Sequence, residues 1–176
     1  MVIRKKTKKE IISKAKELAV EHEAKYKGCG QCTFLAIIDA LRWGGIELLP
    51  EDTEKGLFPG VSMLTAGVCM TGEGTCGAVA SSVMAIGLAL GMPMDSADVS
   101  AARQAAATVR NTLLAKYYQE YGSILCKDVQ RKYFGKAWNL TDDKMAHEFL
   151  GITHGCTIMH TAEWATGIIL DELEKI

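Results

Sequence analysis

"TCGAVASSVMAIGLALGMPM", Thr75 to Met94, contains no charged side chain. A membrane span, a buried helix and the wall of a reactive site would each explain it. A helix needs about 20 apolar residues to cross a bilayer, so the length alone permits a span. The side chains argue against one. Gly77, Ala78, Ala80, Ser81, Ser82, Ala85, Gly87 and Ala89 give little drive into lipid, although small residues do pack closely in membranes. No basic cluster flanks the stretch. The pattern reads instead as a central helix from Cys76 to about Leu90, buried all round and closed by Gly91 and Pro93.

Helical signals also dominate the rest of the chain. Thr7 followed by Glu10 forms a capping box. Ile11, Ile12, Ala15, Leu18, Ala19, His22 and Tyr26 then keep a helical stripe as far as Gly28. A second helix is expected from about Cys32 to Trp43, stopped by Gly44 and Gly45. Residues 46–74 hold Pro50, Pro59 and several glycines, and read as loop with one short helix near Val61 to Met70. Asp98 or Ser100 opens a helix that ends at Gly122, and Ser123 opens a shorter one through Cys126 to Lys132. Thr141, Asp142 and Asp143 start another that ends at Gly151. Thr153 or His154 starts the last. No sustained period-two alternation marks a strand. The expectation is an all-α, compact single-domain bundle of about six to seven helices over residues 1–176. Residues 1–28 form an N-terminal amphipathic helix, and residues 29–176 form a core framed by cysteines.

The bulk numbers bound the function. The chain has 176 residues, 48% hydrophobic and 23% charged, with a net charge of −1. That is a soluble composition, with no global field for nucleic acid or an anionic membrane. The basic run Arg4, Lys5, Lys6, Lys8 and Lys9 reads as a solvated first helical turn, with an anion-binding arm as the alternative. The amphipathic segment after it is no signal peptide, so a cytoplasmic location is expected. Six cysteines in a reducing compartment then need a reason other than structural disulfides.

Four cysteines fall at or near an expected helix start. Cys32 follows Gly28 and Gly30; Cys76 follows Gly74 and Thr75; Cys126 follows Gly122 and Ser123; Cys156 follows Thr153 and Gly155. The first N–H groups of a helix lack partners within it and carry roughly half a positive charge. A thiolate there has its pKa lowered, and an anionic metal–thiolate cluster gains hydrogen bonds to its sulfurs. The separations are unlike a zinc ribbon or a compact ferredoxin run, so a shared site would need the fold first.

Cys29 and Cys32 form a CxxC pair, "CGQC". No βαβ pattern surrounds it, which weakens a thioredoxin-like reading, yet a disulfide switch or a pair of ligands remains open. Cys69 reads either as a plain buried cysteine or as part of the site. His154 and His160 flank Cys156, and the spacing of Cys156 and His160 allows two ligands on one helix face. The bland reading is a histidine satisfied in the core or facing solvent, which also covers His22 and His147. Met63, Met70, Met84, Met92, Met94 and Met159 suit Cu(I), but methionine on helices is more often core filler. No GxxxxGK[ST], GxSxG, HExxH or CxxCH occurs.

With "CGAVAS" at Cys76 to Ser81, Cys32 before it, and Cys126 and Cys156 after it, the chain resembles the redox-active protein family labelled by its cysteine pattern, C-GCAxxG-C-C. Cys76, Gly77 and Ala78 match the central block, while Ser81 replaces its final glycine. The resemblance covers about Cys29 to the C-terminus and implies a redox-active or metal-binding role without a defined reaction.

The leading expectation is an iron–sulfur or similar cluster that passes electrons to an unidentified redox partner protein. Cys32, Cys76, Cys126 and Cys156 would be its thiolate ligands, with Cys29 in reserve. Zinc or a non-covalent haem are the alternative cofactors. The alternative functions are a metal-free thiol–disulfide protein and a zinc-stapled binding module without redox chemistry. The apolar face of the last helix leaves a homodimer contact open.

Overall fold

The computed structural model describes residues 4–96, 99–152 and 157–175. These form eight helices and no strand, apart from one antiparallel bridge between Thr75 and Leu125. In chain order they are α1 (Lys8–Tyr26), α2 (Cys29–Trp43), α3 (Glu51–Ser62), α4 (Gly77–Leu90), α5 (100–121), α6 (Cys126–Phe134), α7 (Asp143–Ile152) and α8 (Ile158–Leu173).

The all-α expectation holds, while the count of six to seven is one to two helices short. The helix expected near Val61 to Met70 lies earlier, as α3. Glu51, Asp52 and Glu54 fill its first turn, where carboxylates meet the partial positive charge of the helix start. The glycines and prolines of this stretch hid that signal. After Ser62 the chain winds the other way. Ala66, Gly67, Val68, Cys69 and Met70 all have φ between 51° and 79°. Non-glycine residues rarely adopt this region, because Cβ crowds the backbone there.

Several local signals do what their chemistry dictates. Thr7 and Glu10 close the capping box: the Thr7 N–H donates to Glu10 Oε2 at 2.8 Å, and the Glu10 N–H donates to Thr7 Oγ1 at 3.3 Å. Gly122, at φ 75°, ends α5 in the left-handed region. Asp142 Oδ1 accepts the Met145 N–H at 2.8 Å and starts α7. The basic N-terminus is tied down, since Arg4 pairs with Glu174 at 2.5 Å and Lys8 with Asp171.

The helix buried all round is α2. Every residue from Gly30 to Ile38 is buried, with α1, α3, α4 and α8 packed about it. Phe34, Ile37, Ile38 and Leu41 meet Ile11 and Ala15 of α1, Ile86 of α4, and Ala162 and Ile169 of α8 in one aliphatic core. Burying each such large side chain contributes about 1.5–3 kcal/mol. The expectation that α4 is buried on every side is corrected: Gly77, Ala78, Val79, Ser81 and Ser82 are buried, but Val83 and Leu88 face solvent. No described helix is long and apolar enough to cross a membrane.

Helix α5 is wound in three parts, Ser100–Val109, a π turn at Arg110–Leu114, and Ala115–Tyr121. Its buried residues, Val109, Leu113, Tyr117 and Tyr121, recur every four positions. On a helix of 3.6 residues per turn that spacing drifts about 40° per step. A wider turn takes up part of the drift. The stripe therefore stays on one face, and Tyr117 points inward.

Candidate functional site

Three backbone segments converge below the start of α4. The Cys76 N–H donates to Ile124 O at 2.7 Å, and the Cys126 N–H donates to Gly74 O at 2.9 Å. This pairing sets Cys76, which caps α4, beside Cys126, which opens α6. The start of α2 packs against both. Gly77 allows this approach: a Cβ there would lie 2.7 Å from Cys29 Sγ and 2.7 Å from Leu64 O. The glycine that follows Cys76 is thus a contact requirement, because only a bare Cα leaves room for the neighbouring sulfur and carbonyl.

Cys29, Cys76 and Cys126 line one cavity of about 50 Å³. Its walls are mostly apolar, with Ala66, Val129, Leu140, Phe149 and Ile158 among them, and Glu23 is the carboxylate that borders it. Cys32 does not line this cavity. It points into the aliphatic core with no solvent exposure. Cys69 is exposed, which corrects the option of a plain buried cysteine. Cys156 and His154 lie outside the described residues. His160 stands beside Trp164, with ring centroids 6.0 Å apart. His22 bonds Asp39 at 2.9 Å, and His147 is exposed. Among the described residues, no three histidine, cysteine, aspartate or glutamate side chains come together as a metal-holding group.

The thiols are electrostatically unequal. Cys76 is lowered from 9 to about 6, first by the hydrogen bond from the Cys29 thiol and then, against burial, by Thr157. Thr157 Oγ1 lies 3.6 Å from Cys76 Sγ, and Tyr117 OH lies 3.8 Å away. The N–H groups of Ala78 and Val79 also favour the thiolate through the field of the helix start, although neither closes a capping bond to it. Cys29 is raised well above 9, because its proton is held by Cys76, because it is buried, and because the Cys76 charge repels a second one. The Ala66 N–H, presented by the left-handed winding, donates to Cys29 Sγ at 3.4 Å.

Cys126 is pushed up to about 12, mainly by burial. Gln130, one turn on, donates to its sulfur at 3.2 Å and accepts the Trp138 N–H at 2.9 Å. Cys32 is also pushed up to about 12, by burial and then by the Glu23 carboxylate. Tyr117 stays neutral, raised well above its ordinary value by burial and by the Cys76 charge. Its hydroxyl meets Thr161 Oγ1 at 2.8 Å. The sequence reading missed Thr157, Tyr117, Gln130 and the Ala66 N–H. The four-residue step from Cys126 to Gln130 is legible in the sequence as one helix face. The others depend on contacts between distant segments.

The cavity thus sets one acidified thiol beside one that keeps its proton. The profile of the family described as "Putative redox-active protein (C_GCAxxG_C_C)" matches residues 27–167. The chain belongs to that family. The match takes in Cys29, Cys32, Cys69, Cys76, Cys126 and Cys156, and also Tyr117 and Thr157. No curated protein and no solved structure matches the chain. In this family member the CGA block is the turn where the Cys76 sulfur, the Gly77 gap and the start of α4 meet.

Proposed function

We propose that the protein cycles between a dithiol and a disulfide at Cys29 and Cys76. The unequal pair carries this reading. Cys76 is poised as the thiolate that attacks, and Cys29 is the protonated partner that closes the bond. Loss of two electrons and two protons in total joins the two sulfurs; two electrons from an external dithiol reopen them. Cys29 is the more exposed residue of the two, so a thiol partner protein would approach the disulfide from that side.

The test is thiol counting with peptide mapping on reduced protein treated with the dithiol oxidant diamide. The expected result is the loss of two free thiols and a Cys29–Cys76 linked peptide. A stable protein that keeps both thiols free under diamide would overturn the proposal.

A second reading has its own support: three soft sulfur donors face one cavity, and such donors suit iron–sulfur or zinc. In it, Cys29, Cys76 and Cys126 would hold a cluster that supplies one-electron transfer, with Cys156 as a further donor and Cys29 in the role the sequence offers to Cys32. It needs the three thiols closer together than they stand among the described residues. Metal and sulfide analysis of anaerobically prepared protein, with the Cys126→Ser variant alongside, separates the two. Bound iron that Cys126→Ser loses selects the cluster. A diamide-formed disulfide that this variant leaves intact selects the thiol pair.

A further inference from the structure

A buried thiol pair needs a route to the thiols outside. Cys76 is buried and Cys29 half-buried, while Cys69 is exposed, alone among the cysteines of the described residues. Cys69 belongs to the left-handed winding that covers the cavity. On the inner side of that winding the Ala66 N–H holds Cys29 Sγ at 3.4 Å, and a Cβ on Gly67 would lie 3.0 Å from Cys126 Cβ. On its outer side Val68 faces solvent with Cys69. Cys69 lines an open groove of about 390 Å³. Gly28, Thr65, Met70 and Leu150 line both this groove and the thiol cavity, so one layer of residues separates the two. Resting on the thiol-pair reading above, we infer that Cys69 is the entry thiol of the cycle: it takes up a disulfide from outside and hands it to Cys29.

The steps balance. The Cys69 thiolate attacks the external disulfide, its sulfur–sulfur bond breaks, and one external thiolate leaves while Cys69 carries the other half as a mixed disulfide. The Cys29 sulfur, giving up its proton, attacks the Cys69 sulfur and expels the second external thiolate. The Cys76 thiolate then attacks the Cys29 sulfur, the Cys29–Cys76 bond closes, and Cys69 departs as a thiolate. The external disulfide takes up two electrons and two protons and becomes two thiols; the Cys29–Cys76 dithiol gives them up. The same steps run backwards when an external thiol in excess reduces the pair.

Size decides which sulfur an outside disulfide meets. One water needs about 10–15 Å³ of free space, so the inner cavity of about 50 Å³ takes a few heavy atoms. The groove of about 390 Å³ lies in the range that holds small ligands. A peptide disulfide therefore reaches Cys69 first. The wall between groove and cavity is built to open. Met70 stands in it with an unbranched side chain of three rotatable bonds, and the two hollows join when that side chain swings aside. Cys69 lies three residues from Ala66 in one winding, so the backbone that would carry Cys69 inward is the one that already touches Cys29.

The experiment mixes reduced full-length protein with glutathione disulfide and follows the Cys29–Cys76 bond by quenched alkylation and mass spectrometry. The bond should close in the unaltered chain, and Cys69→Ser should slow its closing by at least roughly tenfold. Cys69→Asn, which suits the left-handed backbone at φ 51°, should do the same. In a glutathione buffer of fixed ratio both variants should still reach the final fraction of disulfide that the unaltered chain reaches, because an entry thiol changes the rate and not the equilibrium. Cys29→Ser should hold one glutathione on Cys69, and Cys76→Ser should yield a Cys29–Cys69 linked peptide. If both Cys69 variants close the bond at the unaltered rate, the entry role falls and the thiol pair stands. A final fraction that shifts along with the rate makes Cys69 a structural residue and also ends the inference. Failure of both glutathione disulfide and diamide to close the bond in folded protein overturns the thiol pair itself.

Discussion

Cys29 and Cys32 stand one turn apart on α2, and their surroundings make them different chemical groups. Cys32 faces the aliphatic core between α1, α2, α4 and α8, where burial and then the Glu23 charge raise it against the Lys27 charge. Cys29 faces the junction where α2, α4 and the left-handed winding meet. There it finds a second sulfur, a backbone N–H and a cavity. Both thiols hold their protons, but only Cys29 holds one that stabilises a neighbouring thiolate. Reactivity in this protein thus depends on which face of a helical turn a cysteine occupies. The CxxC spacing alone does not confer it.

The largest expected effect separates these two faces. Half of Cys76 should be thiolate at pH 6, against about one part in a thousand for an ordinary thiol of pKa 9. Its lower basicity slows each thiolate by about 20-fold. The pH profile of Cys76 alkylation by iodoacetamide should therefore have its midpoint near 6, while burial of the sulfur lowers the absolute rate. Cys29→Ala removes the donor and should raise that midpoint by about one to two units. Cys32→Ala should leave it in place. A midpoint that moves equally in both variants would erase the distinction. Stability follows the same sign. The folded Cys76 value lies below the unfolded one, so its contribution is complete above pH 9 and is lost as pH falls through about 6. The raised thiols Cys32 and Cys126 act oppositely, losing their contribution as pH rises from 9 through about 12.

A smaller effect contrasts the two ends of α4. At Gly77 a Cβ would collide with Cys29 Sγ and Leu64 O, whereas at Gly87 it would meet nothing within 4 Å. Gly77→Ala should cost about 1–3 kcal/mol by forcing α2 and α4 apart. It should also weaken the thiol pair, seen as an upward shift of the Cys76 alkylation midpoint. Gly87→Ala should stabilise by about 0.5–1 kcal/mol, because alanine loses less backbone freedom in a helix. Denaturant unfolding of both variants checks the opposite signs.

What was legible in the sequence follows from the range of the interactions. The Thr7–Glu10 box, the Gly122 stop and the Asp142 start are set within a few residues, and they read correctly. The helix start at Cys76 read correctly for the same reason, while the helix expected from Ser123 opens two residues later, at Cys126. The CxxC helix starts at Cys29, one turn earlier than its apolar pattern suggested, and this put Cys32 rather than Cys29 in the leading set of candidates. Which helix lies at the centre depends on how many neighbours surround it, and α4's apolar composition gives no such count. The left-handed winding after Ser62 carries no glycine signal strong enough to announce it, since four of its five residues have a Cβ. The Thr157 and Tyr117 contacts join segments far apart in the chain, so no local pattern contains them.

The smallest effect concerns Ser81, where this chain departs from the family's CGAxxG block. Ser81 is fully buried and its hydroxyl has no hydrogen-bond partner among the described residues. A buried, unsatisfied hydroxyl costs about 1–3 kcal/mol relative to one exposed to water. Alanine keeps the small volume, removes the hydroxyl and has the better helix propensity. Ser81→Ala should therefore raise stability by about 1 kcal/mol. Ser81→Gly, the family's own residue, should gain less, because glycine gives back about 1 kcal/mol of helix propensity. Both variants should keep the Cys76 alkylation midpoint near 6, since the side chain is buried on α4 and is not part of the cavity wall. A loss of stability in Ser81→Ala would mean the hydroxyl has a partner. The serine would then be a contact of the bundle rather than a tolerated replacement for glycine.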